Sequence, residues 1–358
     1  EEVDILGGEI SGDLKMMPLE LANSIKWFIC TIACYRFWKI PKPLTMLVHT
    51  SQKVENHASV SKAIEEYLLK LFKSDTFISD LEEVYSSQRE KLDENRFREE
   101  VVDFPKDQVI KDYPDFHDLI PFLNGIKNFG TQHISLNDDQ TKLEYGRGIH
   151  LCVENCKNNK IEDNMVLRLI YPDEKSDKAV LNQSPAFLVV GGATLSRGLT
   201  LKGLTTTYFC RATSLGDTLM QMGRWFGFRK GYELLPRLWL SDSVQEKFKF
   251  LTILDSDLRG ELHNMQSLGL SPKAYGPRID AFPKFAMLKA TAKNKMQKSI
   301  LLESDFANKK GQTTKFFSDK ETLDHNYKEA FKFINSLGAD DKSKTDSLKN
   351  KYLKMLRV

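Results

Sequence analysis

AFLVVGGATLSRGLT, residues 186–200, begins as a run of five apolar side chains and ends in glycines, hydroxyls and one arginine. A short apolar run closed by Gly191 and Gly192 reads as a β-strand buried on both faces. Residues 190–200 then lie at that strand's carboxyl end. Their glycines permit backbone conformations that a Cβ resists. Thr194, Ser196, Thr200 and Arg197 suit phosphate oxygens, through backbone N–H groups and charge-assisted bonds. Taken alone, the segment is equally a tight strand-to-helix turn.

Comparable runs lie on either side. LTMLVHT (44–50), IHLCV (149–153), VLRLIY (166–171), TTTYFC (205–210) and RLWLS (237–241) are expected strands. Helices are expected over 18–38, where Pro18 suits the first turn, and over 57–73, 217–228 and 242–265. Apolar strands alternating with helices give an α/β fold, a parallel sheet flanked by helices, with ligands gathering at the strands' carboxyl ends. Residues 1–43 form an N-terminal loop and helix packing on the core, and 44–265 the sheet domain. Within that domain a charged, solvated helical insertion covers about 74–130. Residues 266–358 make a basic α+β extension, with short strands around 285–290 and 299–302 and helices over 320–337 and 341–356.

A second informative segment is QMGRWFGFR, residues 221–229, in a helix that Asp217 would N-cap. Arg224 and Arg229 stand among apolar or small residues, where an unpaired guanidinium is costly to bury, so they call for an anionic partner or a carboxylate. Trp225, Phe226 and Phe228 read as core aromatics in preference to base-stacking platforms. Arg197 has a plain alternative as the salt-bridge partner of Asp217. His49 is as readily a satisfied strand-end histidine as a ligand.

The two segments, in this order and about 25 residues apart, resemble motifs V and VI of the second RecA-like domain of superfamily two helicases, with LTMLVHTS resembling motif IV. More narrowly, MLVHTS, GGATLSRGLTLKGL, DTLMQMGRWFGFRKGYELLPRLW, LSPKAYGPRI and ATAKNKM resemble the Z1 domain family over roughly residues 16–300. That family carries an endonuclease label and occurs with superfamily two ATPase domains in bacterial and phage neighbourhoods for DNA restriction, modification and defence. The resemblance implies that Arg224 reaches ATP phosphates across an interdomain cleft, stabilising charge on the γ-phosphate. Arg229 stands five residues after Arg224, where the helicase pattern has a second arginine three residues later. Gln221, Gly223, Gly198 and Thr200 occupy nucleotide-side motif positions. Thr194, Ser196 and Arg197 occupy DNA-coupling positions, and His49 and Ser51 would add a backbone phosphate contact. Implied partners are an upstream RecA-like domain, DNA and other restriction or defence proteins, in the cytoplasm of a bacterial or phage-infected cell.

Composition sets the outer limits. The chain has 358 residues with 41% hydrophobic, 52 Lys+Arg and 49 Asp+Glu, for a net charge of +3. That is enough apolar material for a sizeable core and no global signature of a nucleic-acid binder. Residues 284–358 nevertheless hold 17 Lys/Arg against 9 Asp/Glu. The stretch KATAKNKMQK, with Lys293 and Lys295, is the most concentrated candidate phosphate track. Five cysteines without a CxxC pair fit a reducing compartment, with Cys30 and Cys34 as core residues and His150-x-Cys152-x-x-x-Cys156 a faint metal half-site. No run of about 18 apolar residues marks a membrane span.

No G-x-x-x-x-G-K-[ST] loop or acidic magnesium box is present, and the first residue is Glu rather than Met. The chain is therefore expected to be a piece of a longer protein, inactive as an ATPase alone. It would use ATP and magnesium only with an upstream motor domain, and no cofactor or metal is expected on this chain alone. For a nuclease, Asp173-Glu174-Lys175 and the Asp138-Asp139 pair contain suitable residue types without the spacing of a metal site. Three readings stand open: the second motor domain of a DNA-stimulated ATPase, an endonuclease whose site is unlocated, and a non-catalytic RecA-like adaptor.

Overall fold

A computed structural model describes residues 17–49, 54–139, 141–155, 164–192, 200–209, 216–223, 226–227, 229–267, 269, 278–280, 300–302 and 319–336. The chain divides into two compact units, Glu1–Leu301 and Leu302–Val358. In the first, α1 (Leu19–Phe37) leads into β1 (Leu44–His49), followed by α2 (Val54–Lys73), α3 (Phe77–Lys91), α4 (Glu94–Glu100) and α5 (Phe116–Phe129). Strands β2 (Thr131–Gln132), β3 (Ile134–Leu136), β4 (Leu143–Glu144), β5 (Ile149–Glu154) and β6 (Met165–Val166) precede the single-turn α6 (Lys178–Leu181) and β7 (Ala186–Gly191). Then come β8 (Leu204–Phe209), α7 (Gly216–Gly223), β9 (Arg237–Leu240), α8 (Asp242–Ser267) and the short strand β10 (Arg278–Asp280), while β11 (Ile300–Leu302) straddles the division at Leu301. The second unit contributes α9 (Lys320–Ser336). No described helix is long and apolar enough to cross a membrane.

Six strands form a wholly parallel sheet in the order β2-β5-β7-β1-β8-β9. Every residue of β1, β5, β7 and β8 is buried, which is why β7 reads as an unbroken apolar run and the others as mainly apolar runs with buried Thr and His residues among them. Helix α1 is itself apolar on nearly all sides and packs against β8, α3 and α5. Its Trp27, Phe28 and Ile29 join Met46, Val48, Leu188 and Tyr208 in the principal core.

The insertion expected to be a solvated charged segment is helical but not merely solvated. Phe77, Leu81, Val84 and Tyr85 of α3 form an i, i+4, i+7, i+8 stripe that is buried, with the charges on the opposite side. Arg237 pins this helical layer to the sheet. All five of its N–H donors are used, on Gln88 Oε1 and O, Leu234 O, Pro236 O and Tyr113 Oη, at 2.7–3.2 Å. Its guanidinium lies 5.0 Å from the Trp27 ring, and Trp27 Nε1 donates to Leu235 O at 3.1 Å. The charge is thus dispersed over neutral acceptors and an aromatic face.

The expected strand at 166–171 is a correction. Only Met165 and Val166 form a strand, in a separate antiparallel sheet of order β4-β3-β6. Beyond it the backbone bonds irregularly to β5, with Leu167 O accepting from Val153 N and Leu169 N donating to Glu154 Oε1. The strand expected at 285–290 and the helix at 341–356 lie outside the described residues.

Candidate functional site

The chain leaves β1 toward the β5/β7 side and leaves β8 toward β9, so the carboxyl ends of β1 and β8 flank the point where the winding reverses. Registers place His49 level with Gly191 and Phe209, and Glu154 level with Gly191. His49 is fully buried, its ring centroid 5.0 Å from that of Phe209. Asn56 and His57, in the first turn of α2, and Glu154 and Asn155, at the end of β5, are buried as well. Glu154 accepts from Leu169 N at 2.7 Å and lies 3.9 Å from Arg168 Nε. Burial pushes its carboxyl up, against the opposing pull of those two donors. These four residues escaped sequence reasoning. Glu154 and Asn155 close a buried strand, and Asn56 and His57 open a helix, places where a polar side chain is ordinarily solvated.

Of the expected site residues, Ser51, Thr194, Ser196, Arg197, Gly198, Arg224, Lys293 and Lys295 lie outside the described residues. Thr200 is exposed, next to Leu201, which packs beside Leu47 and Leu204. Gln221 is exposed on α7. Gly223 meets α8: a Cβ built there would stand 3.0 Å from Phe248 Cε1, so the glycine serves close helix packing. Phe226 packs against Phe209 and Phe248, with ring centroids 6.0 and 5.8 Å away, as a core aromatic.

Arg229 lines a cleft with Pro43 and Gly203, which immediately precede β1 and β8. It therefore sits at the amino-terminal edge of the sheet. His49 closes the other end of a six-residue strand, a run of about 17–20 Å. The structure does not bring these two candidates together.

The described side chains considered for metal or nuclease chemistry are engaged elsewhere or exposed. His150 Nδ1 donates to Ala186 O at 3.0 Å and Nε2 accepts from Gly146 N at 3.0 Å, which defines a neutral tautomer with both nitrogens occupied. Burial, outweighing the Ala186 bond, lowers its pKa to about 4. Asp173 holds a turn by accepting from the N–H groups of Lys175 and Ser176, and Glu174 pairs with Lys202 at 3.0 Å. Asp138 and Asp139 are exposed turn residues. No group of three or more His, Cys, Asp or Glu among the described residues is arranged to hold a metal ion.

In comparisons with known proteins, the family model described as Z1 domain matches residues 20–287. No curated protein and no solved structure matches the chain.

Proposed function

This chain belongs to the Z1 domain family, and from that premise we propose that it is the second, RecA-like motor domain of a DNA-dependent ATPase of the helicase type. The observation that carries the reading is the wholly parallel sheet. Its winding reverses between β1 and β8, and β7, beside β1, ends in Gly191, from which the sequence runs on as GATLSRGLT. Open sheets of this kind bind phosphate-bearing ligands there.

ATP and magnesium belong to a composite site shared with an upstream RecA-like domain, and they supply the phosphoryl chemistry. Arg224 contributes positive charge that stabilises the transferring phosphoryl group. Thr194, Ser196 and Arg197 touch the DNA backbone and couple it to nucleotide state. Arg229, at the opposite edge of the sheet, is not part of this set. The work is done with restriction or defence proteins in the bacterial cytoplasm, and the chain alone does not turn over ATP.

The test is DNA-stimulated ATP turnover by the full-length gene product, wild type against Arg224→Ala. A loss of at least about a thousandfold is expected, the usual weight of an arginine finger. Turnover retained in the variant, or turnover by this chain alone, would sink the reading.

A further inference from the structure

The amino-terminal edge of the sheet carries a different chemistry from the carboxyl edge. The chain approaches β1 through Pro41, Lys42 and Pro43, and β8 through Lys202 and Gly203. Gly203 has φ +61°, and a Cβ there would collide with the Pro43 carbonyl oxygen, so the starts of β1 and β8 are pressed together. Thr45 reinforces the juncture, its hydroxyl donating to Lys202 O at 2.7 Å and its N–H to Gly203 O at 2.8 Å. Beside it opens a cleft of about 750 Å³ whose described lining includes Lys42, Lys178, Lys202 and Arg229 against one carboxylate, Glu174. Lys42 and Lys178 are exposed, and Glu174 is already spent on Lys202.

Just ahead of β5, Arg36 meets the backbone of a second arginine, Arg147. Arg36 Nη2 donates to Arg147 O at 2.8 Å, and Arg147 Nε donates to Gln183 Oε1 at 3.0 Å. Neither arginine is paired with a carboxylate among the described residues, and Arg36 Nε is buried without a hydrogen-bond partner. Desolvation, then the charge of Arg147, pulls the Arg36 pKa down to about 10. Gln183 links this pair to the cleft, because the preceding residue, Asn182, lines it. Lys42, Lys178, Arg36 and Arg147 have no carboxylate within ion-pair distance among the described residues; such cations repel one another, and an external polyanion relieves that cost.

We infer that the amino-terminal edge of the sheet is a nucleic-acid surface, on which a DNA phosphate backbone lies against the Arg36/Arg147 pair and the Lys42, Lys178, Lys202 and Arg229 cleft. Recognition there is independent of sequence, because ammonium and guanidinium groups that meet phosphates read charge and spacing. From the proposed function this takes only DNA as the partner. The surface itself lies away from the segment 191–200.

The experiment is anisotropy of a labelled DNA duplex titrated with the chain over a salt series. It compares wild type, Lys42→Glu/Lys178→Glu and an equal-charge control, Lys247→Glu/Lys249→Glu on α8. The edge lysines are exposed, so thermal melting should be unchanged in that variant. The edge variant is expected to bind about tenfold or more weakly, with the slope of log K against log salt flattened by about 2, while the control stays within about threefold of wild type. Equal losses in edge and control variants, or an unaltered edge variant, overturn the inference and leave DNA as the partner. No binding by wild type overturns both, while the role of Arg224 in ATP turnover stands or falls on its own assay.

Discussion

The side of the sheet beneath α1 and the side beneath the short antiparallel sheet are covered in different ways. Beneath α1, Leu44, Met46, Val48, Ile149, Leu151 and Leu188 meet apolar helices. Arg237, built into that layer, has all its donors engaged. On the other side, Leu47, Cys152, Phe187 and Val189 form a smaller cluster, interleaved with His150 and with the Thr45 hydroxyl bonded to Tyr171 Oη at 2.8 Å. The first side is held by volume and by one saturated cation. The second is held by hydrogen bonds whose donors and acceptors can titrate. Each side should therefore fail under a different insult.

The sharpest way to break the contrast is Arg237→Ala. It orphans acceptors on α3, on the loop bearing Tyr113 and on the approach to β9, so a loss of about 3–5 kcal/mol is expected. The measurement is urea unfolding at pH 7, and a loss below about 1 kcal/mol would remove Arg237 from its role as the pin.

Next in size is the pH response of the opposite side. His150 titrates near 4 in the fold and near its ordinary value when unfolded, so the neutral form is the stabilised one. Its contribution is complete above about pH 6.5 and drains as pH falls toward 4, by up to about 3 kcal/mol. Unfolding curves at pH 7, 5.5 and 4.5 should converge for wild type and His150→Gln as acid is added. Parallel curves would show that His150 is not the titrating group.

The smallest effect tests whether the apolar side is closed. Burial pushes the Cys30 thiol up and the Cys34 thiol to about 12, so neither should react with a thiol reagent before global unfolding. Site-resolved labelling at native pH that outpaces unfolding would show a local opening beneath α1.

Much of the architecture was legible because burial on both faces leaves a short, mainly apolar and β-branched string. β1, β5, β7 and β8 fall within a residue of their expected bounds. The same logic misled at VLRLIY, where apolar residues close over β5 through irregular bonds without extending the sheet. It also hid half of α3, whose charges dominate its string while Phe77, Leu81 and Tyr85 carry the packing. β2 and β4 are two residues each, too short for any alternation to register. At the site, the glycine segment and His49 stood out by their place after strands. Asn56, His57, Glu154 and Asn155 did not, because a buried polar residue looks in sequence like a solvated one. Arg229 was grouped with Arg224 by proximity along the chain. The path from the carboxyl end of β8 through α7 to the amino end of β9 carries it across the sheet.

The central position of β1 has a temporal consequence. Its two hydrogen-bonded neighbours, β7 and β8, begin at Ala186 and Leu204, some 140 and 160 residues later in the chain. On a ribosome adding about 5–20 residues per second, β1 would wait on the order of 10–30 s with both edges and both apolar faces unmet. Folding of such long-range parallel pairs is slow even once the chain is complete. A nascent chain halted before residue 186 would hold the centre of the sheet without either of its neighbours. Such a chain is a substrate for chaperones or for aggregation, so the order of synthesis brings out the most hazardous strand of this sheet well before its partners.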